Sequence, residues 1–322
     1  MNDDDVMQLF QPLYNDLRPE AAFHVKKPLL AHYTTIQVLE KILITNEVWF
    51  SNPLSMNDLE EVRFGILEGR KVAMESEEIV KACKTAERAQ HFRNWFGHYF
   101  GEFDTRHLFN TYVFCMSEHG NDDNDGRLSM WRGYGANGNG VAIVIDTAQL
   151  DLIDRSPLIV GSVSYGTAEF RRAWLNSLVT TFAGILSASD IHTEKLYLAA
   201  YSLFERIKLF ALFSKHHGFK EEQEWRVVYM PDRDRDKKLE PMFDYAIGPR
   251  GIEPKLKFKI APVEGVTPAD MSLTKITERI IMGPTITSPL ANAAVRRMFD
   301  LLKRSDLSPK LRASTIPFRS IA

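Results

Sequence analysis

Cysteine is scarce. Cys83 and Cys115 are the two in 322 residues, too few for a disulfide framework or a four-thiolate zinc site, and both read as small apolar residues in a reducing compartment. No run approaches the roughly 18 consecutive apolar residues a bilayer crossing needs. Met1 to Asp5 is acidic where a secretion signal would be basic, so a cytosolic protein with no membrane partner is expected. Neither sign of charge dominates, 40 Lys and Arg standing against 42 Asp and Glu. Long-range attraction to nucleic acid is therefore not a property of the whole chain, and a local basic groove stays open. There is no internal repeat and no low-complexity linker, and Gly and Pro are spread too thinly to mark a hinge. What is present, 44% hydrophobic and 25% charged residues, suffices for a sizeable core, and one decorated domain over residues 1–322 is the simplest expectation.

Periodicity predicts a mixture of elements. A short apolar run from Pro28 ends at His32-Tyr33-Thr34, and Thr34 or Thr35 is placed to cap a helix carrying Ile36, Leu39 and Leu43 at helical spacing. Glu47 to Ser51 reads as a strand, Asn57-Asp58 as a turn and cap for a helix over Leu59 to Arg70, and Met74 to Phe100 as a longer helical region. Strands are expected at 111–117, 141–146, 158–165, 225–229, 255–260 and 279–282, and helices at 168–187, 193–215 and 290–302. Strands and helices do not alternate regularly, which favours α+β over a doubly wound parallel sheet.

Several motifs resemble chemistry that their context does not support. Gly133-Tyr-Gly135-Ala-Asn-Gly138 matches the dinucleotide fingerprint, but that motif needs a strand before it and a helix after it. Here the order is reversed, and a flexible surface or lid loop is expected. Asn121 to Gly126 begins like a calcium loop, yet Arg132 stands where the closing bidentate Glu belongs. His91, His98 and Glu102 share a helix face without any recognised metal spacing, so no metal site is assigned. Lys255, Lys257 and Lys259 alternate along a strand, as a basic stripe or as a solvated face.

Two segments carry more. Gly218-Phe-Lys-Glu221-Glu222-Gln-Glu224-Trp225-Arg226 crowds three carboxylates at the start of an apolar strand. A carboxylate held against Trp225 would have a raised pKa and would call for a cation nearby, whereas the bland alternative is a solvated helix-strand connection. At the other segment, His32-Tyr33-Thr34, an imidazole and a phenol precede a helix start whose free N–H groups favour phosphate, with a buried structural His as the alternative.

Together with Trp49-Phe-Ser51-Asn-Pro, Asn57-Asp58-Leu-Glu, Phe114-Cys-Met-Ser117-Glu, Met130-Trp131, Gly140-Val-Ala-Ile and Ile281-Met-Gly283-Pro284, these residues resemble the bacterial family called domain of unknown function 2971, over about residues 28–305. A weaker similarity, in the early His-aromatic pair, the Ser-ended strand and the late Glu-x-Glu, is to ADP-ribosyltransferases, including the branch that modifies DNA. That resemblance implies a mixed or antiparallel split sheet with large helical insertions, and NAD as substrate. It implies a role in bacterial defence or toxin systems, with a protein or nucleic acid as acceptor.

On that resemblance Glu224 would stabilise the oxocarbenium-like ribose as nicotinamide leaves, and Glu222 would orient or deprotonate the acceptor. His32 would bind the adenosine ribose, Tyr33 or Tyr112 would stack on nicotinamide, Ser117 would orient the catalytic carboxylate, and Arg226 or Arg132 would meet the pyrophosphate. Strand alternation separates Tyr112 from Ser117 and favours Ser117. Arg226 has the alternative of pairing with an acid such as Asp58. Two rivals stand beside this reading: a non-catalytic binding or sensor module, and a metal-dependent nuclease built on Asp146 and Glu224-Trp-Arg226. In the nuclease, Arg in the place of Lys cannot surrender a proton to activate water.

Overall fold

Period-two alternation decides how the strands lie. In the computed structural model, which describes residues 1–16, 23–56, 59–150, 153, 156–248 and 251–318, the chain forms two compact units from alternating stretches. A helical unit comprises Met1–Ala22, Asn52–Thr111 and Val163–Phe219; a sheet unit comprises Phe23–Ser51, Tyr112–Ser162 and Lys220–Ala322. The architecture is α+β with a mixed sheet. Among the described residues no helix is long and apolar enough to cross a membrane.

Strands β1 (Leu29–Thr34), β2 (Glu47–Ser51), β3 (Tyr112–His119), β4 (Val141–Asp146) and β5 (Leu158–Ser162) come first. Next in sequence are β6 (Ser164–Gly166) and β7 (Ser214–His216) of the helical unit, then β8 (Glu224–Tyr229), β9 (Phe243–Gly248), β10 (Gly251–Lys259), β11 (Thr277–Met282) and β12 (Leu311–Ala313). Among the described residues the sheet unit holds one ten-stranded sheet, ordered β12-β11-β4-β1-β3-β2-β10-β9, with β8 also on β3 and β5 on β8. Its strands pair antiparallel except β11 with β12.

The sheet forks at β3. Its last residues pair with β1, from Leu29↔His119 to Ala31↔Ser117, while Val113 near its start meets Ser51 of β2. β8 pairs with it from Tyr112↔Tyr229 to Ser117↔Glu224. The helix Ile36–Thr45 connects the two strands that part. Thr35 caps it, its hydroxyl accepting the Val38 N–H at 3.1 Å, and Asn46 ends it in the left-handed conformation at φ 56°. Leu39, Ile42 and Leu43 supply the buried stripe.

One face of the sheet buries Leu30, Phe50, Phe114, Met116, Trp225 and Phe258 in the larger core, and the other packs Ala31, Tyr33, Ala142, Val144 and Ile281 against Trp131. Alternation then places His32 on the Phe114 face with Leu30. It places Cys115, Ser117, Glu224 and Arg226 on the Trp131 face.

In the helical unit, Leu59–Glu75 lies against Leu196–Leu212. Gly65 and Gly69, four residues apart, permit the approach: a Cβ would fall 2.7 Å from Ala211 at the first and 2.3 Å from Ile207 at the second. Phe92 stacks on Phe96, which meets Phe100 at a tilt, and Phe100 is edge-on to Phe204 of the helix Leu196–Leu212.

Some sequence expectations need correction. The single strand expected at 158–165 is two strands in different sheets. The helical region expected at 74–100 is broken, because Ser76 and Thr85 cap separate helices Glu77–Ala82 and Ala86–Glu102. β7, β9 and β12 were not expected; β7 and β12 are three-residue pieces too short to show alternation. The loop over 133–138 lies at the surface through Gly133, Tyr134, Ala136 and Asn137, but its other glycines are packed and it is not a free lid. Gly135 packs on Trp131, and Gly138 and Gly140 are buried beside Gly283 and Thr34. The Asn57-Asp58 turn, and with it Asp58 as a partner for Arg226, lies outside the described residues.

A Cβ at Gly140 would fall 2.1 Å from the Thr34 carbonyl oxygen, whereas one at Gly184, inside the helix Ala168–Ala188, meets open space. Gly140→Ala should therefore cost about 1–3 kcal/mol of stability through overpacking. Gly184→Ala should add roughly 0.5–1 kcal/mol through helix propensity. Denaturant midpoints of the two variants against wild type measure both.

Candidate functional site

Where β1 leaves β3, no strand among the described residues stands opposite Cys115 on that edge, and a side chain takes that place. His32 Nδ1 donates to the Cys115 carbonyl at 3.1 Å, and the ring stacks on Phe114 at 4.5 Å. That bond fixes the tautomer, leaving Nε2 as an acceptor. Burial holds the imidazole below its ordinary pKa of 6.5, outweighing the carbonyl bond that favours the protonated form. A cleft of about 100 Å³ opens beside it, lined among others by Lys41, Ile42, Glu47, Val48 and Trp49.

The other expected site residues lie on the opposite face of the sheet. Glu224 and Arg226, two apart on β8, are both buried and form a two-pronged pair, Nε to Oε1 at 2.7 Å and Nη2 to Oε2 at 3.2 Å. Arg226, expected at a pyrophosphate, thus holds the carboxylate expected to do the chemistry. Ser117 stands opposite Glu224 in the ladder, but its hydroxyl donates to the Glu222 carbonyl at 2.5 Å. Glu222 is half-buried and accepts from the Tyr134 hydroxyl at 3.0 Å. Gln223, left-handed at φ 42°, separates the two glutamates, and its amide oxygen accepts from Arg127.

Tyr33 is on this second face and edge-on to Trp131 at 4.8 Å, its oxygen accepting the Arg127 N–H at 2.9 Å. Burial, only partly offset by that donor, pushes its pKa up to about 12. It is a packed phenol and does not present a face for a nicotinamide ring. Tyr112 is buried against Tyr229 and Phe243. Arg132 is exposed, its guanidinium 5.3 Å from the Phe318 ring.

The structure therefore brings together Ser117, Glu222, Glu224 and Arg226, and separates His32 from them by the thickness of the sheet. Sequence reasoning missed Arg127 and Tyr134, which complete the glutamate cluster, and Lys41, Glu47 and Trp49, which line the His32 cleft. Trp49, an aromatic in the segment read as a strand and quoted for the family resemblance, was the available signal. The carboxylate that does bond to Trp225 is Glu118, which takes the indole N–H at 3.0 Å and Lys26 at 2.7 Å. Burial acts to raise its pKa, but these two donors together with the Lys26 and Arg127 charges outweigh burial and hold it below the ordinary carboxylate value. The Lys255-Lys257-Lys259 alternation is partly neutralised: Lys255 pairs with Glu253 at 3.0 Å, and Lys257 pairs with Asp244 at 2.8 Å and sits 4.9 Å from the Trp49 ring. The calcium-like loop is a set of turns in which Asp123 accepts the N–H groups of Asp125 and Gly126, while Arg279 bonds the carbonyls of Asn121 and Asp123.

Residues 130–227 match the model of a family described as "Protein of unknown function (DUF2971)". The matched stretch includes Met130-Trp131, Gly140-Val-Ala-Ile and Glu222 to Arg226 and leaves out His32, Trp49 and Ile281-Met-Gly283. No curated protein and no solved structure matches the chain.

Because the folded His32 resists protonation, the unfolded chain takes up a proton first as pH falls through 6.5. Stability should fall with pH from there toward the folded midpoint. Between about pH 7 and pH 5, wild type should lose stability relative to His32→Gln, and an NMR titration should place the imidazole midpoint below its ordinary value.

Proposed function

We propose that the sheet unit is a non-catalytic binding module of sensor type, whose ligand seats in the His32 cleft. The observation that carries this reading is the opposition of faces. The imidazole and the paired glutamates expected to act on one dinucleotide project to opposite sides of β1, β3 and β8. What remains at His32 is a neutral acceptor beside Phe114 and Ile42, with Lys41 and Glu47 at the same cleft. That set suits a small polar ring that donates one hydrogen bond to Nε2 and packs on apolar side chains.

A second reading is NAD-dependent ADP-ribosyl transfer, with Glu224 as the stabilising carboxylate and Glu222 at the acceptor. It is favoured by the convergence of Ser117, Glu222 and Glu224 on one face. In that case ribose recognition would fall to residues other than His32, and the Glu224–Arg226 pair would have to open before Glu224 could reach a substrate. Transferase chemistry releases nicotinamide from NAD, whereas binding alone does not.

Nicotinamide, adenine and indole serve as ring probes, followed through the His32 imidazole in wild type and by ligand-observed NMR in wild type and variant alike. At least one should perturb the imidazole saturably, and His32→Leu should weaken that binding about tenfold, as expected for one lost hydrogen bond. Steady nicotinamide release from NAD that disappears in a folded Glu224→Gln variant would overturn the module and establish the transferase.

A further inference from the structure

A second cavity, of about 130 Å³, lies within the sheet unit and shares Val48 and Phe114 with the His32 cleft. Phe114, Met116, Val160 and Val227 line it from the strands, and Met271 and Ile276 from the chain after β10. Among the described residues no Asp, Glu, Lys, Arg or His side chain lines it.

Its polar side chains are Thr147, Ser156 and Thr267, and each hydroxyl is already committed to the backbone. Thr147 donates to the Pro28 carbonyl at 2.6 Å. Ser156 donates to the Val266 carbonyl at 3.4 Å and accepts the Leu158 N–H at 3.3 Å. Thr267 donates to the Ala261 carbonyl at 2.8 Å and accepts the Val263 N–H at 2.7 Å. A charged or strongly polar guest would be desolvated without compensation here. Water fares no better, since an ordered water needs two to four polar partners, and a dry apolar cavity of about 150 Å³ is known to take up benzene.

We propose that this cavity is a binding site for one compact, uncharged apolar molecule of about the size of a benzene ring, or for the terminal ring or short alkyl end of a larger compound. The selectivity follows from the wall. Dispersion and burial of apolar surface supply the affinity, and among the described lining residues the hydroxyls are committed and no charged side chain is present to recognise a charge. The proposal is independent of what the His32 cleft binds.

The experiment uses the whole chain with benzene as probe and benzoate, the same ring with a charge, as its control. Thermal shift and ligand-observed NMR should show saturable benzene binding, with benzoate at least tenfold weaker. Val160→Phe, and separately Met271→Trp, place a ring where the guest would sit, and either variant that folds should lose the benzene response. Absence of saturable benzene binding to folded wild type, equal binding of benzoate, or undiminished benzene binding in a folded filled variant would each overturn the proposal. Should both filled variants fail to fold, the benzene-to-benzoate ratio in wild type decides it.

Discussion

The hydrogen bond from the His32 imidazole to the Cys115 carbonyl closes the gap at which two strands part from a common neighbour. A buried carbonyl left without a donor is costly, so a sheet that forks must satisfy the groups its departing strand abandons. A side chain does this at β3, and the consequence runs in two directions. The ring is drawn against Phe114 and held neutral by burial. The strands β1 and β2 are then free to diverge around the helix Ile36–Thr45, opening the cleft beside them.

On the opposite face, electrostatics are closed within short range. Three carboxylates crowded before an apolar strand suggest mutual repulsion and a group poised as a base. The fold disperses them instead: Glu224 is paired with Arg226 in the buried layer, and Glu222 is bonded to Tyr134. A buried pair of this kind is weak evidence for net stability, but removing one partner leaves a stranded charge. It explains why Glu-x-Arg alternates on one strand face without requiring chemistry from either residue. The Phe114 face carries the contrasting feature, an apolar cavity of about 130 Å³ lined by no charged side chain among the described residues.

Much of the architecture was legible before any fold was known. Val141–Ile145 is a continuous apolar run, and the strand Val141–Asp146 forms over it, buried on both faces next to β1. The capping hydroxyls of Thr35, Thr167 and Ser288 sit where a helix start needs them. Alternation alone separated Tyr112 from Ser117, and the two do lie on opposite faces. The constellation expected at the site was less legible. Tyr33 and Trp131, far apart in sequence, proved to be one edge-on contact. Gly135 and Gly138 proved to be packing positions, because the chain there comes close to Trp131 and Thr285, whereas a Cβ at Gly133 would meet open space.

Each strand's own residues determine which of its side chains go together and which go apart, since that follows from a backbone that places neighbours on alternate sides. They also determine the helices, their caps and the scarcity of cysteine. Whether the set containing His32 and the set containing Glu224 face the same way is a matter of phase between strands. Phase is set by register across β1, β3 and β8, and a shift of one residue in any pairing would reverse the answer. Only the tertiary structure decides that, because register is fixed by which buried surfaces fit together and not by any residue taken alone.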